Sequence, residues 1–393
     1  MIARSIVIFI LLTLLPDMYL YLHYVRHRKN HKWWKAVLWW IPSAFLVVFA
    51  IYLSIGKGFL PHGLGAAETY LFLFGLIAVP KLAYSVCSFL GLMVCRLRNS
   101  RVNWGNLVGL FLAVYCVYVV FAGSLWGFSK LKIRQVELTF SDLPEAFDGY
   151  RIAVFSDAHV GTLQGSRQKM LERVVDSLNA QHADMIAFVG DLQNIEPQEL
   201  YPHRELLCRL KAKDGVYSVL GNHDYSYYSR VSPAESVANE KELQGMQRQF
   251  GWNLLMNEHL AIHRGKDSIV VAGLENGGNN RFPKKDDIVK ATEGVDEGAF
   301  MIMLEHDPTL WQQKILHDSH AQLTLSGHTH GGQVALFGFK PTSLIYSQND
   351  GLHWQDNRAM YVTCGVGALV PFRYGVPGEI VVITLKSKKD GKK

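Results

Sequence analysis

Cysteine is scarce in this chain. Its 393 residues include five, at positions 87, 95, 116, 208 and 364, and none stands at zinc-finger spacing. That excludes a disulfide framework and a structural thiolate zinc site. Cys87, Cys95 and Cys116 lie in apolar sequence and read as packing residues, while Cys208 and Cys364 could be bridged or free. A strong charge of one sign is also missing. The net charge is +6, part of it in short loops and in the closing "KSKKDGKK". With no basic helix and no basic patch interleaved with aromatics, nucleic acid is not an expected partner. No repeat of fixed period is present, which excludes a solenoid. No Ser or Cys sits in an elbow or triad pattern, so neither is expected to act as a nucleophile.

Charge is sparse over residues 1–128, and there the chain is dominated by long apolar runs. Four of them, at about 4–25, 36–55, 69–95 and 105–128, reach the length needed to cross a bilayer. The first has no small-residue cleavage site after it and three more follow, which argues against a removable leader. "VPKL" puts Pro80 and Lys81 inside the third run, so three spans plus a re-entrant piece is the alternative. A lysine there needs a partner helix or a path to the interface. The first connecting loop carries Arg26, Arg28, Lys29, Lys32 and Lys35, and the third carries Arg96, Arg98 and Arg101. The second, Ser54 to Glu68, has only Lys57. Positive loops stay in the cytoplasm, so both termini and the large C-terminal domain are expected outside the cytoplasmic membrane. The basic "SKLKIR" after the fourth run points the other way.

The division expected is a transmembrane region at 1–128, a folded domain at 129–386 and a basic tail at 387–393. In the second part, five short apolar runs end alike. "RIAVF" leads to Asp157 and His159, and "MIAFV" to Asp191. "VYSVL" leads to Asn222, His223 and Asp224, "FMIML" to Glu305, His306 and Asp307, and "AQLTL" to His328 and His330. Such runs read as buried strands. Between two of them, Met170, Val174, Val175 and Leu178 mark one face of a helix. The domain is therefore α/β, and its ligands are expected beyond the carboxyl ends of the strands. Five ends rich in Asp, Asn and His would meet at one edge. Their donors are imidazole, carboxylate and amide, which suits two divalent ions such as Mn²⁺, Fe or Zn²⁺.

"SDAHVG", "GD", "GNHD", "EHDP" and "SGHTHGGQ", in this order, resemble the calcineurin-like metallophosphoesterases. With "TCGVGALVPFRYGVPGEIVVITL" and the four spans, the chain looks most like their membrane-associated bacterial branch. The resemblance implies a two-sheet β-sandwich flanked by helices. It implies one metal on Asp157, His159, Asp191 and His330, and a second on Asp191, Asn222, His306 and His328. It places His223 over the substrate phosphate, with Asp224 orienting it. The reaction implied is attack on phosphorus by a water that the metals activate. Asn194 stands where the family often has a further acid. Arg373 is a candidate for holding a phosphate, or a surface residue. Phe337, Phe339 and Tyr346 could wall a lipid-like substrate or pack in the core. His203, His317, His320 and His353 are expected at the surface. Bilayer anchoring suggests a phosphorylated lipid or lipid-linked substrate. Alternatives are hydrolysis of a UDP-2,3-diacylglucosamine-type diphosphate and an inactive binding module. The oligomeric state is not legible.

Overall fold

The computed structural model describes residues 2–27, 32–55, 63–229, 231–278 and 284–388. Arg28, Lys29, Lys57 and residues 389–393 of the basic tail lie outside the described residues. The chain forms two compact units, Met1–Trp126 and Gly127–Lys393.

In the first unit the apolar runs are helices: α1 (Ile2–Leu20), α2 (Trp33–Ser54), α3 (Leu64–Arg98) and α4 (Gly105–Phe121). Helical turns carry α1 on to Val25 and α4 on to Gly127, so all four are long and apolar enough to cross a membrane. The third run is one 35-residue helix that continues through Pro80, with no re-entrant break. Apolar side chains such as Val7, Val48, Phe111 and Val114 stay exposed on the outer faces, as a bilayer requires. Inside, Leu46, Ala50, Ala67, Tyr70 and Ala78 are buried, and Phe9 meets Tyr70 and Phe74 edge-on at 5.6 and 5.0 Å. α3 and α4 approach through glycine: a Cβ on Gly105 would lie 2.1 Å from the Cys87 carbonyl oxygen.

Lys81 has the partner it needs. Its Nζ is 2.8 Å from Oδ1 of Asp17, which is fully buried on α1. The Ser43 hydroxyl on α2 donates to the other Asp17 oxygen, and Lys81 donates to Ser43 Oγ at 3.4 Å. Lys81 also lies over the Trp39 ring at 5.3 Å. Each of the three polar residues directly follows a proline: Pro16, Pro42 and Pro80. Proline weakens the local helix ladder, and neighbouring hydroxyls make up the difference. Ser85 Oγ donates to the Pro16 carbonyl at 3.4 Å.

The second unit is a sandwich of two six-stranded sheets. One comprises β1 (Leu131–Phe140), β2 (Arg151–Phe155), β3 (Met185–Val189), β4 (Val216–Val219), β5 (Trp252–Leu254) and β12 (Gly378–Ser387), in the order β1-β12-β2-β3-β4-β5. The other comprises β6 (Glu258–Arg264), β7 (Asp267–Gly273), β8 (Phe300–Leu304), β9 (Leu323–Ser326), β10 (Gly351–Gln355) and β11 (Arg358–Val362), in the order β10-β11-β9-β8-β7-β6. The inner strands β2, β3, β4, β8 and β9 are buried along nearly their whole length because both faces are covered, whereas β1, β6 and β10 are largely exposed. Alternate residues serve different layers. Ile152 and Val154 join the core between the sheets, with Val189, Ile302, Leu304 and Leu325. Ala153 and Phe155 join an outer core with Phe188 and Trp252. The expected helix, α5 (Gln168–Asn179), closes that outer core with Met170, Val174, Val175 and Leu178. α6 (Pro233–Gln249) adds Leu243 and Met246, and starts at a Ser232–Glu235 capping box. Ile288, Ala291 and Trp311 cover the other sheet.

β2, β3 and β4 are parallel neighbours, and so are β8 and β9. Phe155 pairs with Phe188, Val189 with Val219, and Leu304 with Leu325. Each set of strands therefore ends level.

Candidate metal centre

The turns after these strands are tightly knit. Asp157 N–H donates to the Gly190 carbonyl at 2.8 Å, and Gly327 N–H to the His306 carbonyl at 3.1 Å. Asp157, His159, Asp191, His328 and His330 all have left-handed backbone, with φ of 50, 43, 61, 71 and 53°. Non-glycine residues reach this region at a cost of about 1–2 kcal/mol each. Such concentrated strain marks a functional site. It also aims side chains inward that a regular strand would carry past one another. Gly221 and Gly327 allow the approach. A Cβ at Gly221 would lie 2.2 Å from Asp191 Oδ1, and one at Gly327 2.6 Å from Asp157 Oδ2.

Three overlapping groups have ligand atoms within 4.8 Å of one another: Asp157–His159–His330, His159–Asp191–His223 and Asp191–His306–His328. His330 Nε2 is 3.3 Å from Asp157 Oδ1, and His306 Nε2 is 3.2 Å from Asp191 Oδ2. His159 Nε2 lies 3.7 Å from that same Asp191 oxygen. Asp191 is therefore common to both sides of the cluster. Asn222 is buried on the β4 end, where its Nδ2 donates to the Tyr228 hydroxyl at 2.8 Å. Its carbonyl oxygen has no hydrogen-bond partner among the described residues, and neither has His330 Nδ1.

Burial drives the His159 imidazole well below its usual 6.5, takes His330 down to about 4, and lowers His328 as well. Burial disfavours the charged form of His306 too, but the Asp191 carboxylate outweighs it and pushes that imidazole up to about 10. Burial likewise opposes ionisation of Asp191, yet His306 and His223 hold it well below the carboxylate range. The site thus combines ionised carboxylate with mostly neutral imidazoles, and it buries unpaired oxygen and nitrogen lone pairs. That is the donor set of a cation site rather than of a closed ion-pair network. The residues present fit divalent metal.

Asp224 does not orient His223. Its carboxylate accepts four backbone N–H groups, from Asp191, Leu192, Gln193 and Gly221, at 2.8, 2.9, 3.2 and 2.9 Å. It ties the β3 turn to the β4 turn. The His223 ring is held instead by Nδ1 against the Asn194 carbonyl at 2.6 Å and by the Tyr228 ring stacked at 4.2 Å. Arg373 is no phosphate hand either. It is fully buried, and Nη2 donates to the carbonyls of Cys364, Gly365 and Gly367 at 2.7, 3.2 and 2.6 Å. Gly367 N–H donates in turn to the Asp157 carbonyl at 2.9 Å, so Arg373 clamps the loop on which Asp157 rests.

His203, expected at the surface, is fully buried, and Glu305 and Asp307 are buried beside His306. His317 is exposed, and His320 and His353 are half-buried. Phe337 and Phe339 are exposed and are not core. Tyr346 is half-buried, with its hydroxyl 3.4 Å from His328 Nε2. An acid, Glu199, lies close to Asn194 along the chain. Glu199 accepts the N–H groups of Asn194 and Ile195 at 2.6 and 3.0 Å, and burial pushes its carboxyl up to about 7. Sequence reasoning missed Glu199 and left Tyr228 unexplained. Tyr228 stands in the aromatic run just after "GNHD", which is the signal that could have found it.

Residues 150–332 match the calcineurin-like phosphoesterase family, and residues 3–128 match the family described as probable calcineurin-like phosphoesterase, transmembrane domain. The chain belongs to the calcineurin-like phosphoesterases: a metallophosphoesterase domain behind a four-helix membrane region. A zebrafish (Danio rerio) transmembrane protein with metallophosphoesterase domain is 31% identical over 266 residues, which are 65% of this chain and 57% of that one. The chain thus spans just over half the length of that relative. An uncharacterized metallophosphoesterase of Campylobacter jejuni is 26% identical and covered to 76%, as is this chain. Among solved structures, phosphopantetheinyl hydrolase from Mycobacterium tuberculosis aligns with 57% of this chain and 91% of its own, at 14% identity and a TM-score of 0.35.

Proposed function

We propose that the chain is a membrane-anchored, metal-dependent phosphoesterase that hydrolyses a phosphate ester or diphosphate on a lipid or lipid-linked substrate. The observation that carries this reading is the convergence of Asp157, His159 and His330 with Asp191, His306 and His328 around one shared carboxylate. Asp157, His159, Asp191 and His330 would hold one ion, and Asp191, Asn222, His306 and His328 the other. Divalent ions bound there supply charge neutralisation at phosphorus and activation of water.

The chain's own groups do the rest. Asp191 sets the charge shared between the two halves of the site. Tyr228 takes the Asn222 amide N–H and so leaves the buried Asn222 oxygen as the atom available to a cation. His223 gives Nδ1 to the Asn194 carbonyl, which leaves Nε2 to hold a proton for the leaving oxygen or to face a phosphoryl oxygen. Asp224 and Arg373 keep the turns in place from behind. Four apolar spans support a substrate at a bilayer. The bias of Arg and Lys toward the first and third loops supports placing the domain outside the cytoplasm.

The test uses the full chain in nanodiscs, with metal analysis and a panel of phosphomonoesters, phosphodiesters and lipid diphosphates. Metal-dependent turnover that Asp191→Ala abolishes supports the reading. Full metal-free turnover, or no metal bound at all, rejects it. A C-terminal fusion to a reporter active only in the cytoplasm tests the topology, and signal from it rejects the outside placement.

A further inference from the structure

We propose that the loop between Val334 and Gln348 is a bilayer-docking element at the rim of the metal centre, and that its partner is the apolar margin of the lipid surface. Among the described residues of the soluble unit, twelve large apolar side chains are exposed, and four of them fall within nine consecutive positions. Phe337 is 93% exposed, Phe339 53%, Leu344 78% and Ile345 79%. Apolar side chains of this size gain by leaving water, so keeping Phe339, Leu344 and Ile345 exposed is unfavourable unless something covers them.

The loop is built rather than slack. Leu336 and Phe339 exchange backbone hydrogen bonds at 2.9 and 3.0 Å, which makes a tight turn with Phe337 and Gly338 at its tip. Ala335 N–H donates to the Tyr374 carbonyl at 2.7 Å, and the N–H groups of Ile345 and Tyr346 both donate to the Thr342 carbonyl at 2.9 Å. Lys340 is the only charged residue from Val334 to Gln348, and it is paired with Asp350. The apolar side chains are therefore presented on fixed backbone, with no uncompensated charge among them.

Two further facts select a lipid surface over a protein partner. Every copy of the chain carries four apolar spans, and only Phe128, Ser129 and Lys130 separate the helical end at Gly127 from β1. A domain on so short a connection works beside a bilayer. Aromatic and aliphatic residues projecting from a turn are the usual means of shallow insertion there. The same loop ends at Tyr346, 3.4 Å from His328 Nε2. Docking it would bring the lipid surface to the mouth of the metal centre. This consequence rests on the phosphoesterase reading; the docking itself does not.

The experiment places the photoreactive residue benzoylphenylalanine at Leu344 or Ile345 of the full chain, in phosphatidylcholine vesicles. Val289, equally exposed at 77% but away from the loop, is the comparison site. Lipid adducts at 344 and 345 and none at 289 are expected. Absence of lipid adducts at the loop, adducts to a second protein chain there, or equal labelling at 289 overturns the proposal. In parallel, the triple variant Phe339→Ser, Leu344→Ser, Ile345→Ser is assayed in the same vesicles. Turnover of the water-soluble bis(p-nitrophenyl) phosphate is expected to stay within about twofold, while turnover of a phospholipid ester embedded in the vesicles falls at least about tenfold. Equal loss on both substrates overturns docking as the cause. If neither substrate is turned over by the unmodified chain, the hydrolase reading fails while the adducts still decide the docking.

Discussion

Two of the clusters in which the chain buries carboxylates are answered differently. In the membrane unit, Asp17 meets the Lys81 side chain at 2.8 Å and a hydroxyl from Ser43. In the soluble unit, Asp157 and Asp191 face imidazoles, most of them neutral, and the nearby guanidinium of Arg373 is given over to backbone carbonyls. The first cluster closes on itself. The second has unmatched lone pairs at Asn222 and His330, and needs cations from outside the chain. A buried charge alone therefore does not mark a reactive site; the kind of partner decides.

The largest expected effect breaks the open cluster at its shared member. Asp191→Ala removes the oxygen that both halves approach, and should lower metal-dependent turnover by at least about a thousandfold, with loss of bound metal by elemental analysis. Asp191→Asn keeps the shape and loses the charge, so it should fail nearly as badly. Either variant retaining metal and rate would mean that the carboxylate is only structural.

The closed cluster predicts the opposite pattern. Lys81→Met strands Asp17 in the bilayer and should cost about 3–5 kcal/mol, read as a lower unfolding midpoint in mixed detergent. Replacing both partners, Asp17→Leu with Lys81→Met, should restore most of that stability, because a complete pair and an apolar pair are nearly equivalent. No such rescue is open to the metal centre. If the double variant is as unstable as the single one, the pair does more than close a charge.

Protons sharpen the contrast. His306, pushed up to about 10 by Asp191, must lose its proton before it can bind metal, whereas His330, held near 4, is already neutral. Calorimetry at pH 7 in buffers of different ionisation enthalpy should show about one proton released per chain on metal binding. Apparent affinity should rise about tenfold per pH unit until His306 is neutral. His306→Asn should remove most of the release. In the metal-free chain the sign is reversed. The raised pKa contributes stability that is intact below 6.5 and is lost as pH climbs toward about 10.

The strand ends were readable because buried parallel strands leave so few polar residues that Asp, His and Asn at five exits stand out. The buried face of α5 followed from its own spacing, whereas the order of the strands in the two sheets did not follow from the runs. What stayed hidden depended on contacts between distant turns. Asp224 looked like a partner of its neighbour His223, and only the approach of residues 191–193 shows that its oxygens are taken. Arg373 lies in a loop rich in Gly and Pro, where sequence cannot distinguish a clamp from a ligand hand. His203 follows a proline in polar sequence, and tertiary packing buries it. Asp17 is one acid in an apolar helix, with its partner 64 residues away on another helix.

The smallest effect tests the residue that sequence left unexplained. Tyr228 supports two neighbours by different means: its hydroxyl takes the Asn222 amide at 2.8 Å, and its ring stacks on His223 at 4.2 Å with the planes 26° apart. Tyr228→Phe keeps the ring and drops the hydroxyl. Asn222 then loses the bond that engages its amide nitrogen and leaves its oxygen as the donor, which is worth about 0.5–1.5 kcal/mol. Metal affinity should fall about three- to tenfold, while the rate at saturating metal stays near that of the parent chain. Tyr228→Ala also removes the stack, and should lower the rate at saturating metal as His223 gains freedom. If Tyr228→Phe lowers the saturated rate and leaves metal affinity alone, the hydroxyl serves His223 or the substrate instead, and the account of Asn222 as an oriented oxygen donor fails.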